Sequence, residues 1–267
     1  MVHGILKSQT VAGFIFLFFG LNSFPISAQQ VKIGKLYFKS YLTDTKKIIT
    51  SPARWHGDQW IAAGLAVTAG SILYTQDAAI QELYQANRNN TRNTISKYFA
   101  EPLGDGKYVF SGFGIIYLNG IIFKNNRSKK VALLGIQSFI LSGIAANVPK
   151  YIFQRHRPYQ DSPPKSNQWD GPENGYSHFT SFPSGHSTTA FSWAAILSEE
   201  YKDHDAVPFL CYTAATLVGL SRINDNKHWA SDVFAGALIG YLIGKVVSKN
   251  HPWLTNVSFV PAVSFQN

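Results

Sequence analysis

Eight histidines are spread over 267 residues, and two of them stand among neighbours suited to chemistry. His228 opens the run His228-Trp-Ala-Ser-Asp232, which sets a carboxylate four residues after an imidazole. On the first turns of a helix these positions share a face. Asp232 can then accept the Nδ1–H of His228 and leave Nε2 as an oriented nucleophile or base. Taken alone, the pair is equally a capped helix with an incidental histidine. His186 lies in Phe182-Pro-Ser-Gly-His-Ser187, directly before an apolar stretch. Pro183 and Gly185 set a tight turn there, and Ser184 or Ser187 can cap the helix. The free N–H groups at such a start form a cradle for an anion. A third cluster, Lys150-Tyr-Ile-Phe-Gln-Arg-His-Arg157-Pro158, closes another apolar stretch. If that helix runs on to Pro158, which would stop it, Lys150 and Arg157 lie about two turns apart on one face. Arg155 and His156 then point off that face, and exposure is their expected state.

Something must bring these clusters together. Six apolar stretches contain no Asp or Glu: Trp60–Tyr74, Tyr108–Phe123, Val131–Val148, Thr188–Ser198, Ala206–Leu220 and Val233–Val247. Their length and their Ala, Gly, Leu and Ile content predict helices rather than strands, and a more polar helix is expected over Thr94–Ala100. The fold class is therefore all-α, an antiparallel bundle of about six core helices. The third helix ends, the fourth begins, the fifth ends and the sixth begins at a chemical cluster, so one end of the bundle carries the site. Residues 158–183 are dense in Pro, Gly, Ser, Asp and Asn and predict a long loop, which is uncommon without a function. Tyr176, His178 and Phe179 within it are placed to shape substrate access. Trp229 reads as packing material, and His56, His204 and His251 as surface or loop histidines. The tail 251–267 alternates loosely and reads as a short strand or as disordered chain.

Lys and Arg exceed Asp and Glu by 24 to 15, a net charge of +9. The basic residues are scattered with no run of five, which argues against nucleic acid and leaves an anionic membrane surface or a phosphorylated substrate. The single cysteine, Cys211, sits in an apolar run, reads as a buried spectator, and leaves no zinc spacing. Residues 1–28 have the form of an export signal: Lys7, an apolar core from Val11 to Leu21, and Ile26-Ser27-Ala28 as cleavage site. The remainder divides into a basic segment over 29–55, the catalytic domain over 56–250 and the tail.

In order, the clusters read Lys-x6-Arg-Pro, Pro-Ser-Gly-His and Ser-Arg-x5-His-x3-Asp. This set resembles the type 2 phosphatidic acid phosphatase and vanadium haloperoxidase superfamily over roughly residues 56–250. The resemblance implies a phosphatase acting on phosphate monoesters or pyrophosphates through a phosphohistidine. It makes His228 the nucleophile, Asp232 its orienting carboxylate, and His186 the acid that protonates the leaving alkoxide and later activates water. Lys150, Arg157 and Arg222, with Ser184 and the Gly185 amide, hold the equatorial phosphate oxygens. Phosphoryl transfer needs positive charge around spread-out oxygens and an in-line nucleophile. Three cations supply that here, and no cofactor or metal is expected.

Phosphatidate, phosphatidylglycerol phosphate, undecaprenyl pyrophosphate and lipid A all fall within the substrate range the resemblance implies. The alternatives are a soluble exported acid phosphatase of broad specificity and, in another reaction class, a vanadate-dependent haloperoxidase. The short chain and compact motif spacing argue against the last. Membrane association with an outward, periplasmic site is the expected location, and a soluble periplasmic protein the alternative. The apolar runs fall at or below the ~20 residues of a span, and the mean hydropathy is −0.05. The loop with Lys124, Arg127, Lys129 and Lys130 argues for a cytoplasmic side, which puts the segment before Trp60 inside, whereas a cleaved signal delivers it outside. The two readings are incompatible if all six helices span.

Overall fold

The computed structural model describes residues 29–31, 33–174, 180–249 and 254–256. The segment read as a signal, Tyr176, His178, Phe179, His251 and most of the tail lie outside the described residues. The chain forms α1 (Lys35–Thr50), α2 (Gly57–Ala86), α3 (Gly106–Ile122), α4 (Asn126–Phe153), α5 (Gly185–Glu200), α6 (Ala206–Asn224) and α7 (Ala230–Lys249). The last six contain the six apolar stretches. Short turns at Asn90–Ile95, Ser96–Ala100 and Glu101–Gly104 cover the polar helix expected over Thr94–Ala100. A two-stranded antiparallel ribbon pairs β1 (Gln29–Val31) with β2 (Leu254–Asn256), so that part of the tail is a strand.

Side-chain caps fix where the helices start. Asn125 accepts from the amide of Ser128, Asp105 from Lys107 and Ser184 from Ser187, each satisfying an orphan donor of the first turn. α1 was not anticipated; its mixed composition hides a docking face on which Tyr37, Ser40 and Asp44 are buried. α5 is the central helix, in contact with α3, α4, α6 and α7, and Ala190, Trp193, Ala194 and Leu197 on it join the main apolar cluster. α4, α6 and α7 are each long and apolar enough to cross a membrane. On α2, Trp60, Ile61, Leu65, Val67 and Ile72 remain exposed, so apolar surface continues over the outside of the bundle.

The contact that positions the site is between α5 and α7. Gly236, Gly240 and Gly244 lie at i, i+4 and i+8 on one stripe of α7 and meet Ser184, Thr188, Ser192 and Ala195 of α5. A methyl group on Gly240 would run into the Thr188 carbonyl oxygen, and one on Gly244 would stand 2.6 Å from the Ala195 Cβ. The two backbones touch because α7 has no side chains there. Gly240→Ala should therefore force the helices apart, and overpacking of this kind costs about 1–3 kcal/mol. Gly143→Ala on α4 meets nothing within 4 Å and should be neutral or stabilising, by up to about 1 kcal/mol. Thermal unfolding of the two variants in detergent tests the contrast; equal melting temperatures would show that the α5–α7 approach is not constrained.

Candidate active site

The phosphate-binding and catalytic candidates gather at one end of the bundle, but not by the route the sequence suggested. α4 ends at Phe153, and Gln154 takes a left-handed conformation (φ 45°) that turns the chain away. Lys150 and Arg157 therefore do not share a helical face. Instead both reach back to the strand-like segment ahead of α5: the Lys150 Nζ donates to the carbonyls of Thr180 (2.7 Å) and Pro183 (2.6 Å). Arg157 donates to the Thr180 Oγ1 at 3.1 Å. Arg222, at the end of α6, is buried and donates to Asp225 at 2.9 Å, with Glu101 at 3.5 Å. Its backbone carbonyl accepts the amides of Lys227 and His228, which fixes the turn carrying His228. Gln81 and Gln85 of α2 brace the same turn through Asn226, Ile223 and Asn224.

Arg155 and His156 are buried, contrary to the exposure expected of them. Turning the chain at Gln154 points Arg155 inward, where its guanidinium is fully enclosed by Tyr74, Trp169 and Trp229. It donates to Asp77 of α2 at 2.7 Å, to Asp232 at 2.6 Å and to Ser231 at 2.8 Å. His156 lies between Asp161 and Asp170, and its carbonyl accepts the indole N–H of Trp229 at 2.8 Å. Asp77 is the functional-end residue that sequence reading missed. The one available signal was an acid standing three residues past the apolar stretch Trp60–Tyr74 and nine before the end of the helix.

Asp232 is saturated by partners other than His228. Its Oδ1 takes Arg155, and its Oδ2 takes the Ser181 hydroxyl (2.5 Å) and the Trp229 amide (2.9 Å). The Nδ1 of His228 is 3.8 Å from that oxygen, beyond hydrogen-bond range, and 2.8 Å from the Ser181 carbonyl. A carbonyl only accepts, so Nδ1 carries the proton and Nε2 the lone pair. Asp232 thus orients His228 through Ser181 as much as by its own charge. It also holds α5, since its backbone carbonyl accepts the Ser184 amide at 2.9 Å. Ser184 is buried as the cap of α5, and the Gly185 Cα faces open space.

His186 is pressed by Gly104, on which an added Cβ would stand 2.9 Å from the His186 Cβ. Its Nε2 is buried and has no hydrogen-bond partner among the described residues. Burial, then the charges of Arg222, His228, Arg157 and Lys150, push its pKa down to about 3. Burial likewise holds His228 down, at about 4, with the Asp232 interaction opposing it. Both imidazoles are neutral at pH 7. The unfolded chain protonates them near the ordinary value, about 6.5, and the folded chain far below it. Stability should therefore be full above that value and fall as pH drops toward 4.

Removing Asp77 leaves Arg155 paired with Asp232 but strands buried donors of Arg155 and Ser231, which costs about 1–3 kcal/mol. Asp77→Ala should destabilise by that order, whereas the exposed Glu82→Ala should change stability by less than about 0.5 kcal/mol. Denaturant melts compare them; a neutral Asp77→Ala would show the pair is dispensable.

Residues 132–256 match the PAP2 superfamily. The lipid A 1-phosphatase of Rhizobium etli is 35% identical over 208 residues, 71% of this chain and 82% of that protein. The lipid A 1-phosphatase of Porphyromonas gingivalis is 38% identical over 107 residues, 40% of this chain, of which this chain spans only 20%. Among solved structures, LpxE of Aquifex aeolicus aligns with a TM-score of 0.51 at 26% identity, over 65% of this chain and 95% of that one. With the motif set in order on an all-α bundle and a relative matched over most of its length, the chain belongs to the PAP2 superfamily.

Proposed function

We propose that this protein is a lipid-phosphate phosphatase that works through a covalent phosphohistidine on His228, without a metal. The observation that carries the proposal is the pairing of two neutral, buried imidazoles with three converging cations. His228 has its Nδ1–H engaged and its Nε2 lone pair free, and Lys150 and Arg157 lie within electrostatic reach of it. Those two cations and Arg222 also surround His186, whose Nε2 has no partner among the described residues. Such a site is built for a polyanion with one proton to exchange.

In the first step the His228 Nε2 attacks phosphorus and the bond to the lipid oxygen breaks. His186 gives its proton to the departing alkoxide, and Lys150, Arg157, Arg222, Ser184 and the Gly185 amide hold the phosphoryl oxygens. In the second step neutral His186 takes a proton from water, the hydroxide attacks phosphorus, and the N–P bond breaks to restore His228 and release phosphate. His186 must be protonated for the first step, although the free site depresses its pKa. Phosphate resolves this, because a bound dianion offsets the cations that lower it. Lipid substrates are favoured by the apolar outer faces of the bundle and by relatives named as lipid A 1-phosphatases. A lipid A type 1-phosphate is the first substrate to test, and an outward-facing site follows from the basic loop at the opposite end.

Phosphate release by the purified protein from lipid A, phosphatidate, phosphatidylglycerol phosphate, undecaprenyl pyrophosphate and soluble esters tests the substrate class; activity confined to soluble esters would refute it. His228→Ala should lower turnover by several orders of magnitude and form no base-stable phosphoenzyme. His186→Ala should still label from p-nitrophenyl phosphate, whose leaving group needs no proton, and should accumulate the label because hydrolysis lacks its base. Label-free loss in both variants would remove His186 from the mechanism. EDTA should leave activity unchanged, and vanadate should inhibit.

The proton argument has its own test. At pH 6, ring ¹⁵N signals of His186 should be those of a neutral imidazole in the free protein and shift to imidazolium when inorganic phosphate binds. His228 should remain the neutral Nδ1–H form, and an unmoved His186 would contradict the scheme.

A further inference from the structure

α1 has three kinds of surface around its circumference. Toward the bundle, Tyr37 donates to the Leu133 carbonyl, Ser40 donates to Gln137, and Gln137 donates to the buried Asp44. With Ile48, this face joins the cluster formed by Leu133, Leu134, Leu141, Ile196, Ile243 and Val247. At 100° per residue, Phe38, Leu42 and Ile49 fall together on a second strip about 120° round the helix. All three are exposed, by 63%, 74% and 71%, which for adjacent large apolar side chains needs an occupant. Lys35, Lys39 and Lys46 form the next strip, and Lys47 lies beyond it; all four are exposed.

Position says what that occupant is. Gln137 precedes Lys150 by 13 residues of α4, about 20 Å along the axis, so α1 docks far from the active site. The same end of the bundle carries Lys129 at the start of α4 and Lys249 at the end of α7, while Lys130 is ion-paired with Glu200. A helix that offers one strip to the protein, one to hydrocarbon and a flanking strip of lysines suits the edge of a bilayer beside a spanning bundle. The apolar strip sinks toward the acyl chains while the lysine stems reach the head groups. Four cations on α1 select anionic lipid at that level.

We propose that α1 is an interfacial helix bound to anionic lipid in the leaflet opposite the active site. The assignment goes beyond the catalytic reading and does not rest on it. The full chain carrying Cys211→Ser, with Leu42→Cys or Lys47→Cys, is labelled with a nitroxide and reconstituted into vesicles. One set contains phosphatidylglycerol and the other phosphatidylcholine alone. In the anionic vesicles a label at 42 should be relaxed several-fold more by oxygen than by a water-soluble nickel complex. A label at 47 should show the reverse. Replacing Lys35, Lys39 and Lys46 by Gln should reduce the oxygen preference at 42, as should phosphatidylcholine alone. Nickel access at 42 equal to that at 47 overturns the proposal. So does shielding from both reagents with spin–spin broadening, which would identify a second copy as the occupant, or a preference insensitive to lipid charge. Ile49→Cys repeats the measurement if Leu42→Cys does not fold.

Discussion

The guanidinium of Arg155 binds three parts of the chain that are distant in sequence. It comes from the turn after α4, and its partners Asp77 and Asp232 come from α2 and α7. Enclosing a cation and two carboxylates is expensive unless every polar atom is paired, and here the pairing extends to Ser231, Ser166 and, through Asp232, Ser181. Because Ser181 also presents its carbonyl to His228, an error in placing Arg155 passes to that imidazole through three hydrogen bonds, by way of Asp232 and Ser181. The trio carries a net formal charge of −1 beside the imidazole.

The remainder of the site is a contrast of charge states. Lys150, Arg157 and Arg222 are each held in place by some of their donors, through carbonyls, a hydroxyl or carboxylates. The two histidines, in the same enclosure, are kept neutral by it. Cations held in this way need no reorientation to meet an anion, while a neutral imidazole keeps a lone pair and the capacity to gain a proton.

The six long apolar helices and the end at which chemistry collects were legible in the sequence, because apolar run length and motif order encode both. What escaped were features encoded by single residues. Nothing in Lys150–Pro158 announces that Gln154 adopts a left-handed turn, yet that turn reverses which of Arg155 and Arg157 points inward. Asp77 is one of three acids in α2, with Asp58 and Glu82, and its meaning depends on a partner 78 positions away. The orienting role of Ser181 comes from a backbone carbonyl, which no side-chain pattern can show. α1 was hidden because its docking face uses tyrosine, serine and aspartate in place of an aliphatic stripe.

The glycine stripe of α7 has a mechanical meaning for the reaction. His228 precedes α7 and His186 begins α5, so their separation is set where two main chains lie against each other. Main chain in contact cannot be re-tuned by changing a rotamer, and it has little compliance. The distance between His228 and His186 is thus set by main-chain contacts rather than by side-chain rotamers.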